Sequence, residues 1–170
     1  MLKTTASLAV ALILSYAPFY NDSVTCFRDC QVTTMGRGFI ERQEGEVDYP
    51  YTDAAGHKTV CFGHLIRTGE HFGLMTPDQC GNLLKRDLQP IQAHINWMVN
   101  HPEKLNQFDA LADLLVNVGI NQPNLFKRVN ANADPEFIRF DKAKMPDGTE
   151  VILKGLKTRR QAEAALYNLD

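Results

Sequence analysis

The sequence predicts an α+β domain with more helix than strand, set behind an N-terminal appendage. Two short β-type runs flank a glycine turn between residues 49 and 62, apolar residues at helical spacing dominate from residue 76 onward, and helix-start signals punctuate them. At 170 residues with 44% hydrophobic content, the chain has enough apolar material for one domain with a real core. A formal net charge of -2 and a sequence pI of about 6.2 give no global basic field. That argues against nucleic acid and against an anionic membrane surface as partners.

At the start of the chain, one lysine precedes an apolar run, Ala6 to Ala17, which stops at Pro18, Asn21 and Asp22. The run is shorter than the roughly 20 apolar residues of a membrane-crossing helix and has the layout of an export signal. Residues 1–25 are therefore expected to be an export signal or a releasable signal-anchor segment, with transient inner-membrane association. Residues 26–170 are expected to be the catalytic domain, in the periplasm or secreted. Four cysteines, Cys26, Cys30, Cys61 and Cys80, suit an oxidising compartment and allow three pairings. A zinc set built from Cys26, Cys30, Cys61 and His64 matches no tight zinc knuckle, so no metal is expected.

Residues 38–45, GFIERQEG, read as a short helix that Gly45 ends, leaving Glu44 in its last turn. Tyr49 to Thr52 and Lys58 to Phe62 read as strands around the turn from Asp53 to His57. Thr76-Pro77-Asp78-Gln79 is a capping box opening a helix through Leu83, Leu84 and Leu88, which Pro90 is expected to break or kink. A further helical stretch runs from Ile91 to Val99. Phe108, Leu111, Leu114, Leu115 and Val118 recur at helical spacing, with Gly119 as the cap. Asp134-Pro135 starts another short helix, and Thr158 to Gln161 reads as a capping box for the terminal one.

Glu44, Asp53 and Thr59 carry the chemistry of this arrangement. The negative end of the helix dipole and burial against the sheet both favour a protonated carboxyl at Glu44, whereas Asp53, beside backbone N–H groups and solvent, is expected to stay ionised. One protonated and one charged carboxyl is what glycosidic bond cleavage requires. A hydroxyl at Thr59 holding a water beside Asp53 implies direct displacement with inversion. Taken alone, the spacing leaves Glu41, Glu46 and Asp48 as competitors for either role. No metal or organic cofactor enters this chemistry.

The stretch YPYTDAAGHKTVCFGH after Glu44-Gly45 resembles the phage-type lysozymes, the endolysin muramidases, in its Tyr51-Thr52-Asp53, its turn at Gly56 and its Thr59-Val60-Cys61-Phe62-Gly63-His64. DALADLLVNVG, ending in Asn117-Val118-Gly119, resembles the central helix of that family. LFKRVN and GLKTRRQAEAALY, residues 155–167, resemble later family segments. Leu65 stands where threonine is usual, and Asp113 where serine is common.

The resemblance implies a lysozyme-like fold, with a small antiparallel sheet lobe and a larger helical lobe. It also implies hydrolysis of the β-1,4 bond between N-acetylmuramic acid and N-acetylglucosamine of peptidoglycan, by a monomer. Glu44 becomes the acid, Asp53 the base and Thr59 the water holder, with Tyr51, His64 and Asn117 as substrate-contact candidates. For His64, a structural role bonding the hairpin is the competing reading, and for Arg159 and Arg160, ion pairing and helix packing. Exported members of the family carry cysteines near positions 61 and 80, so the resemblance implies a Cys61–Cys80 disulfide, leaving Cys26 and Cys30 to pair or stay free. The same chemistry would serve an antibacterial effector or a wall-remodelling enzyme, and a catalytically silent wall-binding module is the alternative of another class.

Overall fold

A computed structural model of the chain describes residues 15, 18, 20, 21, 23–53, 56–144 and 148–169. Most of the expected export segment lies outside the described residues. A sheet lobe and a larger helical lobe follow it, as an α+β fold.

The first helix, α1 (Thr34–Glu44), starts where the Thr33 hydroxyl accepts the Gly36 N–H at 2.9 Å, and it ends where Gly45 turns out at φ 71°. Its entry is tied to the helical lobe by buried Asp109, whose carboxylate accepts from the Thr33 N–H at 2.9 Å and from the Tyr20 hydroxyl at 2.8 Å. A Cβ on Gly36 would fall 2.2 Å from the Asp109 Cγ, so the close approach of these two elements requires glycine. Burial pushes the Asp109 carboxyl up to about 6, against the pull of these hydrogen bonds.

Strands β2 (Val47–Thr52), β3 (Lys58–Cys61) and β4 (His64–Leu65) form one antiparallel sheet, with Tyr51 opposite Thr59 and Thr59 opposite Leu65. The Cys61–Cys80 disulfide ties β3 to the long helix α2 (Pro77–Met98). Val60, Leu83 and these two cysteines make the small core of the sheet lobe. The N-terminus of α2 carries the capping box expected from Thr76 and Gln79.

Of the break or kink expected at Pro90, the break does not occur: the helix continues through it. Both Pro90 and Arg86, the residue whose carbonyl it leaves without a helical donor, are exposed, so water can satisfy that carbonyl. Leu88 and Ile95 meanwhile anchor the helix to the core on either side.

Helix α3 (Leu105–Val118) is the centre of the helical lobe and packs against α1, α2 and the terminal helix α5 (Lys154–Tyr167). Helix α4 (Pro123–Val129) adds Leu125, Phe126 and Val129 to the same core. Helix α5 begins four residues before Thr158, which lies inside the helix and donates its hydroxyl to the Lys154 carbonyl at 3.0 Å, so it is not a cap. The Asp134-Pro135 signal leads to a single 3-10 turn, Phe137–Phe140, and not to an α-helix.

Two strand pairs had no sequence signal: β1 (Thr25–Cys26) with β5 (Glu103–Lys104), and β6 (Lys142–Lys144) with β7 (Glu150–Ile152). Cys26 and Cys30 pair with each other. All four sulfurs are thus in disulfides, which removes the thiolates a zinc site would need.

Candidate active site

Glu44 closes α1 and reaches the junction of the two lobes. Its Oε1 lies 2.8 Å from Arg159 Nη2. Its Oε2 faces Gly63, where a Cβ would come within 3.4 Å, so the carboxylate abuts the backbone of the β3–β4 turn. The side chain remains 20% exposed, enough to meet a ligand.

Arg159 is itself 8% exposed and stands among three carboxylates. It contacts Asp113 Oδ1 at 2.9 Å and Glu163 Oε1 at 3.3 Å in addition to Glu44. Burial works against its charge, but Asp113 and Glu44 outweigh burial and raise its pKa. Fully buried Arg160 closes the network through Glu163 Oε1 at 2.6 Å. Burial and the adjacent Asp113 carboxylate hold Glu163 well above the usual carboxylate range.

Asp53 follows β2 directly and is fixed by the turn. Its N–H donates to the His57 carbonyl at 2.9 Å, and its Oδ1 accepts the His57 N–H at 2.8 Å. The His57 ring adds a contact of 3.6 Å from Nδ1 to Oδ2. Thr59 is buried, and its hydroxyl donates to the same His57 carbonyl at 3.3 Å. Asp53 and Thr59 therefore meet around His57, a residue sequence reasoning passed over. Half-buried Tyr51 lies across the strand pair from Thr59.

Beside Gly63 opens a cleft of 340 Å³ between the sheet lobe and helices α2 and α3. Phe62, Leu65, Leu84, Ile91 and Val116 give it an apolar wall. His64 also lines it, but both ring nitrogens are engaged, Nδ1 with Asp87 at 2.8 Å and Nε2 with Glu70 at 2.9 Å. It ties the sheet lobe to α2, as a structural reading requires, although through α2 and the following loop and not through the hairpin itself. Asn117 sits away from this cleft in the last turn of α3, exposed, accepting from Arg160 Nη2 at 3.1 Å. It lines a separate hollow of 480 Å³ with Arg139, Phe140 and Lys142.

Sequence reasoning gave Glu44 only a helix end and burial as its electrostatic surroundings, and missed the buried acids Asp113 and Glu163. Two signals were present. Arg159, Arg160 and Glu163 have the three- and four-residue spacing of helical ion pairs, and Asp113 interrupts an otherwise apolar core face.

The profile described as Phage lysozyme matches residues 41–163. An endolysin of Acyrthosiphon pisum secondary endosymbiont phage 1 is 32% identical over 145 residues, covering 80% of this chain and 97% of its own length. A SAR-endolysin of Escherichia phage Mu is 34% identical over 140 residues, covering 79% and 80%. The muramidase domain of SpmX from Asticaccaulis excentricus superimposes with a TM-score of 0.74 at 26% identity, covering 83% of this chain and 99% of its own. The match spans both lobes and includes Glu44, Asp53, Thr59 and the Arg159 network: the chain belongs to the phage lysozyme family.

Proposed function

We infer that the chain is a peptidoglycan hydrolase, a muramidase that cuts the β-1,4 bond between N-acetylmuramic acid and N-acetylglucosamine to lyse a bacterial host cell. The observation that carries this reading is Glu44, held by Arg159 at the end of α1 and beside an apolar cleft suited to the C–H faces of sugars.

Glu44 donates its proton to the glycosidic oxygen as the bond from that oxygen to the anomeric carbon breaks. The carboxylate it leaves meets the guanidinium of Arg159. A water bonds the anomeric carbon from the opposite face. One of its hydrogens goes to Asp53, and the other is held by the Thr59 oxygen, which keeps acceptor capacity while its own hydrogen is given to His57. Asp53 ends protonated and Glu44 ionised, and exchange with solvent resets both. Such a direct displacement inverts the anomeric centre.

Export to the periplasm is supported by the apolar run from Ala6 to Ala17 and by the likeness to a relative described as a SAR-endolysin. Among the described residues no helix is long and apolar enough to cross a membrane. Nuclear magnetic resonance of the first turnover tests the chemistry. The reading expects new reducing ends on N-acetylmuramic acid, appearing first as the α-anomer. Reducing ends on N-acetylglucosamine, or a first-formed β-anomer, would contradict it.

A further inference from the structure

Beyond the cleft, α2 forms one wall of an open trough of 760 Å³, whose other wall is the segment following β1. At about 100° per residue, Gln89, Gln92, Ala93 and Asn96 fall largely on the side of the helix axis opposite Leu84, Asp87, Leu88 and Ile91, which line the apolar cleft beside Gly63. At its end stands Trp97, the one tryptophan of the chain, 79% exposed.

The walls of this trough are fixed. Gln92 Oε1 accepts the Val32 N–H at 2.7 Å, and Asn96 bonds the Cys30 N–H and carbonyl, each at 3.0 Å. The Cys26–Cys30 disulfide closes the loop that carries Arg28 and Asp29. Polar side chains nevertheless remain unengaged: Gln31, Gln89 and Asp29 make no hydrogen bond or ion pair among the described residues. The charges of Arg28 and Asp29 cancel.

An exposed indole beside neutral amides, with no net charge, selects the chemistry of the occupant. A sugar presents a C–H face that packs on an aromatic ring, and hydroxyl and acetamido groups that pair with side-chain amides. A nucleic acid or an anionic lipid surface would call for net positive charge, which this trough lacks. We propose that the trough is a second, non-catalytic site for the glycan strand of peptidoglycan, which holds the enzyme on the wall while the cleft acts elsewhere. Asp87 and Trp97 are ten residues apart on the helix, about 15 Å along its axis, so one sugar cannot reach both. The proposal rests on the muramidase reading for the identity of the surface that is bound.

Because Trp97 is the sole tryptophan, its emission reports on this trough alone. Glycan strands stripped of stem peptides, titrated into the full-length Glu44→Gln protein, are expected to change Trp97 emission saturably. In the same background, Trp97→Ala is expected to weaken co-sedimentation with purified sacculi about tenfold, the equivalent of about 1.4 kcal/mol, and Trp97→Tyr to retain most of it. Emission that stays constant through the titration, or a Trp97→Ala protein that sediments like its parent, would overturn the proposal. Wild-type protein that releases no reducing ends from the same sacculi would overturn the muramidase reading instead. The Trp97 signal, taken where turnover is blocked, decides the trough separately.

Discussion

Replacing Arg159 with leucine would leave buried Asp113 without its paired cation, while Glu163 keeps Arg160. Removing one partner of a buried ion pair costs roughly 3–5 kcal/mol, so urea denaturation of Arg159→Leu should show a loss of that order. Arg159→Lys keeps the charge but not the planar fork that reaches Glu44 and Asp113 together. It should therefore recover much of the stability while hydrolysis stays reduced. At Thr59 the oxygen that receives the water is the feature that counts. Thr59→Ala is expected to slow reducing-end release by about tenfold to a hundredfold through a misplaced nucleophile, and an unchanged rate would remove Thr59 from the mechanism.

Among the elements, the sheet lobe depends most on a single covalent tie. The Cys61–Cys80 disulfide spans 19 residues, a loop length for which cross-linking contributes about 3 kcal/mol in the chain-entropy view. Replacing both cysteines with serine should lower the urea midpoint accordingly, and activity should fall with it, because β3 carries Thr59 and pairs with the strand that leads to Asp53.

Elements with local signals were legible in the sequence: α1 ending at Gly45, the Thr76 cap, and the core spacing of α3. A break at Pro90 did not follow because its cost depends on whether the freed carbonyl reaches water, which sequence does not state. Thr158 misled because a hydroxyl inside a helix and one at a cap look alike without knowing where the chain turns. The β1–β5 pair joins residues such as Cys26 and Glu103, and two-residue strands far apart in the chain leave no periodic trace. Within the site, Glu44, Asp53 and Thr59 stood out through family resemblance. The convergence of Arg159 with Asp113 came only from packing α3 against α5.

For the molecule as a whole, buried acids set the dependence of stability on pH. Burial raises Glu103 from an ordinary value of 4.5 to about 7, although His101 at 3.2 Å pulls the other way, and it raises Asp109 to about 6. Both hold protons in the folded state that the unfolded chain releases. Their contribution is fully present below the unfolded values and is lost as pH rises through about 6 and 7. Glu70 has the opposite sign. The Arg67 N–H and His64 lower it to about 2, so its contribution is present above 4.5 and lost as pH falls through about 2. Thermal midpoints should therefore peak near about pH 4, where the losses at Asp109 and Glu103 overtake the gain at Glu70, and decline toward pH 7. Glu103→Gln should flatten that decline, and a decline as steep as in the parent would assign it to other groups.

The proton donated by Glu44 at the junction of the lobes is the step on which hydrolysis turns. The direct measurement compares wild-type and Glu44→Gln proteins for reducing-end release from purified sacculi, with matched thermal midpoints and matched co-sedimentation. The expected result is a loss of about a hundredfold to ten-thousandfold in rate with binding retained. A Glu44→Gln protein that still releases reducing ends at a rate close to that of the wild type would contradict it.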